Sequence, residues 1–230
     1  MQYFLFVNFK TYEDGSGKKA LSLAKLLAGF NSGEVDIIPV VQVVDLRQIV
    51  YDTPLKVFVQ HVDPISYGAN TGMILPEAVR DAGAFGCVVN HAENKRDNIF
   101  VEAVVRRCHE VNLKVLVCAE SLERAKQIAF FSPDFIAVEP PELIGGNVSV
   151  STAKPELISD AVKAINGIDS KIKVLVGAGI KTNKDVSKAI ELGSCGVFVS
   201  SGIVCAKDKE YALRSLLSGF PSKNSSELLP

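Results

Sequence analysis

The chain has little of what would tie it to an export route, a membrane, a metal or a nucleic acid. No apolar run approaches the length needed to span a bilayer. The N-terminal apolar stretch, Tyr3 to Val7, stops at Asn8 and Lys10, too short for the core of a signal peptide, so a cytoplasmic protein is expected. The five cysteines, at 87, 108, 118, 195 and 205, are odd in number and show no Cys-x-x-Cys spacing, which excludes a disulfide framework and a structural zinc site and suits a reducing compartment. Histidines stand only at 61, 91 and 109 and share no ligand spacing, so no metal is expected. Charge of one sign is missing too. Lys and Arg number 25 against 26 Asp and Glu, a net charge of -1, so no global field draws nucleic acid or an acidic membrane surface, and any anion site must be local. Gly177-Ala178-Gly179 lacks the third glycine of a dinucleotide fingerprint, and no organic cofactor is expected.

What is there is a regular alternation. At 230 residues and 47% hydrophobic content, the chain suits one domain with a large core. Eight short runs rich in Val, Ile and Phe stand out: Phe4-Val7, Asp36-Val41, Lys56-Gln60, Gly86-Asn90, Lys114-Cys118, Phe135-Glu139, Lys173-Gly177 and Gly196-Ser200. That is how strands buried on both faces read. Between them, Gly17-Phe30, Asp45-Tyr51, Pro76-Ala82, Ile99-Asn112, Leu122-Phe131, Lys154-Asn166 and Lys184-Leu192 place apolar residues at helical spacing beside charged ones. Strand and helix alternating eight times implies an all-parallel sheet, and eight strands can close with no exposed edge. The expected fold is α/β, a (β/α)8 barrel over residues 1–230, with a loose polar tail from about 220.

In such a barrel the reacting groups sit where strands end and loops begin. Five ends are chemically loaded: Asn8-Phe9-Lys10 after the first strand, Asn90-His91-Ala92-Glu93 after the fourth, Glu139-Pro140-Pro141 after the sixth, and Gly177-Ala178-Gly179 with Ser200-Ser201-Gly202 after the last two. A lone lysine after a strand is more often a solvated loop residue, and His91 alone would equally cap a helix. Glu139 is sharper, because it closes an apolar strand and two prolines stiffen the departing loop. Backbone N–H groups after the last two strands would converge on a phosphate at the start of a short helix. Cys118 reads as a packing residue, Cys87 and Cys195 as inert core thiols, His61 as structural and His109 as a solvated helix-face residue.

With these residues the chain resembles the triosephosphate isomerase family, in its short archaeal form, over nearly its whole length. The resemblance rests on Asn8-Phe9-Lys10-Thr11-Tyr12, Gly68-Ala69-Asn70-Thr71-Gly72, Asn90-His91-Ala92-Glu93 and Glu139-Pro140, in that order. It implies that Glu139 is the base, that neutral His91 is the electrophile beside a helix N-terminus, and that Lys10 stabilises the enediolate oxygen and steers the phosphate. Triosephosphate isomerase is itself a standard worked case of this pairing of roles. Asn8 would hold Lys10 or the substrate oxygens, and Glu93 would pair with Lys10. Phosphate contacts would fall to Ile144 and Gly145 in a lid over about 142–150, to Gly179, and to Ser200 and Ser201. Thr71 would cross to a neighbouring subunit, giving a homo-oligomer, dimer or tetramer, that needs no cofactor and acts on a small phosphorylated triose.

The chain departs from the family pattern at Ala92, where a serine is usual, at Gly145-Gly146-Asn147 in the lid tip, and at Met73, where an acid is usual. Two rival functions remain at this level. A Schiff-base aldolase would need a lysine projecting inward from a strand. A non-catalytic triose-phosphate-binding barrel would keep the phosphate cradle without the chemistry.

Overall fold

The computed structural model describes residues 2–31, 33–140 and 155–221. The lid residues Ile144 and Gly145 and the end of the tail therefore lie outside the described residues. Eight strands close into a barrel in chain order, every neighbouring pair parallel. They are β1 (Tyr3–Asn8), β2 (Val35–Val41), β3 (Phe58–Val59), β4 (Gly86–Val89), β5 (Lys114–Ala119), β6 (Phe135–Val138), β7 (Lys173–Val176) and β8 (Gly196–Val199). The covering helices are α1 (Gly17–Gly29), α2 (Val43–Asp52), α3 (Pro76–Asp81), α4 (Asn98–Glu110), α5 (Leu122–Ala129), α6 (Pro155–Ile168), α7 (Asn183–Glu191), α8 (Ser201–Val204) and α9 (Lys209–Leu217).

Side chains alternate along each strand, as the pleat requires. One set, including Phe4, Phe6, Ile38, Val40, Phe58, Phe135 and Phe198, fills the barrel interior. The other, including Leu5, Val7, Ile37, Val115, Val117 and Val176, packs against the helices. Phe6 meets Phe58 and Phe135 edge to face, each with ring centroids 5.1 Å apart. The interior holds these rings because small residues face them: a Cβ on Gly86 would lie 2.5 Å from the Phe58 ring.

The eight runs read from the sequence are the eight strands, with ends that differ. β3 is shorter than Lys56-Gln60, since only Phe58 and Val59 pair with β2 and β4, and Lys56 instead bonds Asp36 at 2.9 Å. Helix starts are fixed by side-chain caps: Asp97 accepts from the Phe100 N–H, Ser121 from Arg124, and Thr182 forms a reciprocal capping box with Asp185. Helix α9, which follows the eighth strand as the eightfold alternation requires, buries Leu213 and Leu216. One detail departs from expectation. Phe220, placed at the start of a loose tail, is buried and packs 5.9 Å from the Tyr3 ring, in the apolar layer between strands and helices.

Candidate active site

The C-terminal ends of β1, β4, β6, β7 and β8 meet around one cavity of about 90 Å³, lined by Asn8, Lys10, His91, Glu139, Gly177, Gly179, Ser200 and Ser201 among others. That is well under the ~300 Å³ at which drug-sized ligand sites begin, a size suited to a small molecule. The cavity brings together every described residue to which the sequence assigned base, electrophile, cation or phosphate contact.

Glu139 leaves β6 pointing into apolar surroundings and is 4% exposed. Its room comes from β7. A Cβ on Gly177 would lie 2.4 Å from Glu139 Cγ and 2.7 Å from Oε1, so no side chain except hydrogen fits there. Burial pushes the carboxyl up from 4.5 to about 7, against the lowering pull of a hydrogen bond with the Cys118 side chain and of the Lys10 charge. Cys118 is buried and its thiol is held well above its ordinary range by the same desolvation and by the Glu139 charge, so it stays protonated and donates. Oε2 of Glu139 has no hydrogen-bond partner among the described residues.

His91 is buried at 9% exposure. The Glu93 N–H donates to its Nδ1 at 3.2 Å, which makes Nδ1 an acceptor and leaves the proton of a neutral ring on Nε2. Desolvation first, then the Lys10 charge, lowers its pKa, with Glu93 opposing. The helix expected to begin beside His91 does not. Residues 92–93 form a turn closed by Asn94 N–H to the His91 carbonyl at 2.8 Å, and α4 starts only at Asn98, where Asp97 caps it. The Glu93 N–H at 3.2 Å, with the Glu93 carboxylate 3.6 Å from the same nitrogen, and no helix end, therefore meets the imidazole.

Lys10 Nζ lies 2.6 Å from Glu93 Oε1. Its backbone is left-handed, φ +48, a conformation costly for any residue with a Cβ. Three bonds hold it: Asn8 Oδ1 accepts the Lys10 N–H at 3.0 Å, and Gln60 Nε2 donates to the Lys10 carbonyl at 2.8 Å and lies 3.5 Å from Asn8 Oδ1. On the opposite wall Gly179 is also left-handed, φ +72, and Ser200 Oγ donates to the Asn8 carbonyl at 2.7 Å, so that hydroxyl joins β8 to β1. Sequence reasoning gave Gln60 no task at the site, and it read Gly177 only as part of a phosphate loop, not as the space that Glu139 occupies. Gln60 is the polar residue that follows β3, the same strand-end signal that selected Lys10 and His91.

The remaining candidates lie elsewhere. His61 bonds Asp63 at 3.2 Å and stacks on Phe100. His109 pairs with Asp134 at 3.1 Å on the outer surface. No group of three metal-ligating side chains occurs among the described residues. Thr71 is exposed. A second cavity of about 200 Å³ lies on the other side of Lys10, lined by Thr11, Gln60, Glu93 and Asn94 among others.

Comparison with known proteins places the chain in one family. A family model described as triosephosphate isomerase matches residues 3–217. The triosephosphate isomerase of Methanocaldococcus jannaschii is 41% identical over 93% of this chain and 98% of its own length. That of Methanobrevibacter smithii is 42% identical over 93% and 97%. A crystal structure of triosephosphate isomerase from Bartonella henselae superposes with a TM-score of 0.72 at 19% identity, covering 87% of this chain and 92% of that one, a likeness of fold.

Proposed function

The chain belongs to the triosephosphate isomerase family, and we propose that it interconverts dihydroxyacetone phosphate and D-glyceraldehyde 3-phosphate with Glu139, His91, Lys10 and Asn8 as its working residues. The substrate phosphate docks against backbone N–H groups after β7 and β8, at Gly179, Ser200 and Ser201, with Ile144 and Gly145 of the lid as further contacts. This sets the three-carbon end between Glu139 and His91. Glu139 takes a proton from the carbon next to the carbonyl as the carbonyl oxygen gains charge, the proton of the adjacent hydroxyl passes to that oxygen, and Glu139 returns its proton to the neighbouring carbon as the carbonyl re-forms at the other oxygen. Neutral His91 donates its Nε2–H toward the oxygen that gains charge, and the Lys10 ammonium, aimed by Asn8 and Gln60 and paired with Glu93, stabilises the same charge. No cofactor takes part. The activity belongs to glycolysis and gluconeogenesis, in one (β/α)8 domain, and the free cysteines suit a cytoplasmic setting.

The observation that carries this reading is a buried, desolvated carboxylate with a pKa of about 7, in one small cavity with a neutral imidazole and an ammonium. A binder without chemistry has no use for such a group. The aldolase reading fares worse, since Lys10 is ion-paired and Lys173 stands over Phe4 and Phe135, at the barrel end where β7 begins. A coupled assay of glyceraldehyde 3-phosphate turnover tests the proposal. Wild type should turn over and Glu139→Gln should lose about 10²- to 10⁴-fold or more in kcat. A wild type that binds substrate without isomerising it would hand the site to the binder reading.

The active protein is a homo-oligomer in which Thr71 of one subunit enters the cavity beside Lys10 of the next. Support comes from the largely exposed segment 66–72, with Thr71 itself exposed, and from the presence of a second cavity of about 200 Å³ beside Lys10.

A further inference from the structure

Asn90 stands one residue before His91 and has no task in the mechanism so far. Its backbone is left-handed, φ +61, although its side chain carries a Cβ. A glycine would adopt that angle at lower cost, so what the asparagine adds is its amide. Both ends of that amide are used inside the protein, where the residue is 5% exposed. Nδ2 donates to the Cys118 carbonyl at 2.8 Å, and Oδ1 accepts the Arg96 N–H at 2.9 Å. The β4–β5 ladder ends at Val89 opposite Val117, so the amide meets a β5 carbonyl that the ladder no longer reaches.

These two bonds enclose the whole of the His91 turn. One fixes its start to β5, at the residue whose side chain hydrogen-bonds Glu139. The other ties its far end, Arg96, back to that start. Between them lies the Glu93 N–H that meets His91 Nδ1 at 3.2 Å. We propose that Asn90 is a positioning residue for the isomerisation, holding this turn closed so that the Glu93 N–H stays on Nδ1 and the imidazole presents Nε2–H to the substrate. The inference rests on the reading of His91 as the electrophile.

The test compares full-length wild type, Asn90→Gly, Asn90→Asp and His91→Gln. Steady-state kinetics are read alongside the 15N spectrum of histidine-labelled protein at pH 7.5. With three histidines in the chain, the signals absent from His91→Gln assign the ring. In wild type His91 should show a bare Nδ1 and a protonated Nε2. Asn90→Gly should blend the two tautomers and lower kcat about 10- to 100-fold, the scale of a small misplacement of a reacting group, with KM changed less than about twofold. Asn90→Asp keeps the acceptor for Arg96 and should fall between the two. If Asn90→Gly does not fold, the same readouts on Asn90→Asp decide. Unchanged tautomer and kcat in the Asn90 variants, whatever their melting temperature, would overturn the proposal while His91→Gln is impaired. Wild-type turnover by His91→Gln would instead remove the electrophile reading on which it stands.

Discussion

Replacing Glu139 by glutamine should stabilise the protein in the pH range where it abolishes activity. The carboxyl titrates at about 7 in the folded chain against 4.5 when unperturbed, and burial is the main cause. Between those values the folded state keeps a proton that the unfolded chain has released. Raising the pH through this window therefore draws the equilibrium toward unfolding, opposite to the usual carboxylate, whose pKa is depressed by folding. Each tenfold in proton affinity is worth about 1.4 kcal/mol, so the ionised base costs the fold about 3 kcal/mol above pH 7 and nothing below pH 4.5. Glutamine has the same shape and no titration. Its advantage over glutamate should grow from a constant offset near pH 4.5 to about 3 kcal/mol more at pH 8, equivalent to roughly 6–12 °C in melting temperature for a chain of this size. Calorimetry of both proteins from pH 4.5 to 8, at one protomer concentration because assembly shifts apparent stability, measures this directly. A stability difference flat across that range would refute the claim that Glu139 is held as a desolvated base.

The same titration predicts that kcat/KM falls about tenfold per pH unit below about 7, because the base must be ionised in the free enzyme; an acid limb near 4.5 would contradict the burial argument. Gly177→Ala puts a Cβ 2.4 Å from Glu139 Cγ, so kcat should drop about 10²-fold and stability by about 1–3 kcal/mol, checked by assay and melting; full activity would show that the base does not need this space. Gln60→Ala removes the amide from the Lys10 carbonyl and should reduce kcat/KM about tenfold, with the turnover assay as the check. Thr71→Asp should lower the mass seen by light scattering and the specific activity together, and a variant that stays assembled at full rate would end the proposed role of that loop.

The barrel was legible because each strand is buried on both faces. Val and Ile on the helix side and Phe on the inner side leave a continuous apolar run that stops where water begins, and the stop is where Asn8, His91 and Glu139 follow. The raised pKa of Glu139 was foreseeable in kind, since an acid that ends an apolar strand must be partly desolvated. The turn after His91 was not. The apolar spacing starts the helix at Ile99, close to the observed Asn98, and it was the resemblance that implied a helix end beside His91; Asn90 at φ +61 opens a turn there, and Asp97 caps α4 further on. Phe220 was misplaced for a related reason, because its polar neighbours in sequence say nothing of Tyr3, which it meets in space.

The residues to which the sequence reading gave a chemical role differ in kind from those whose supporting role emerges only in the structure. Lys10, His91 and Glu139 carry charge or a titrating ring, and such groups are conspicuous beside apolar runs. Gly177, Gln60 and Asn90 act by setting a volume or a backbone angle for a group on another strand or turn. Gly177 on β7 makes room for a carboxylate that leaves β6, and Gln60, after β3, holds the carbonyl of a left-handed lysine that follows β1. The position of the Lys10 amine is accordingly fixed by bonds to its backbone from Asn8 and Gln60 and by Glu93 at its tip, more than by its own flexible side chain. A lysine moved to the end of β1 in another barrel would lack that support, so the chemistry of this mouth belongs to the set of strand ends and not to any one residue on them.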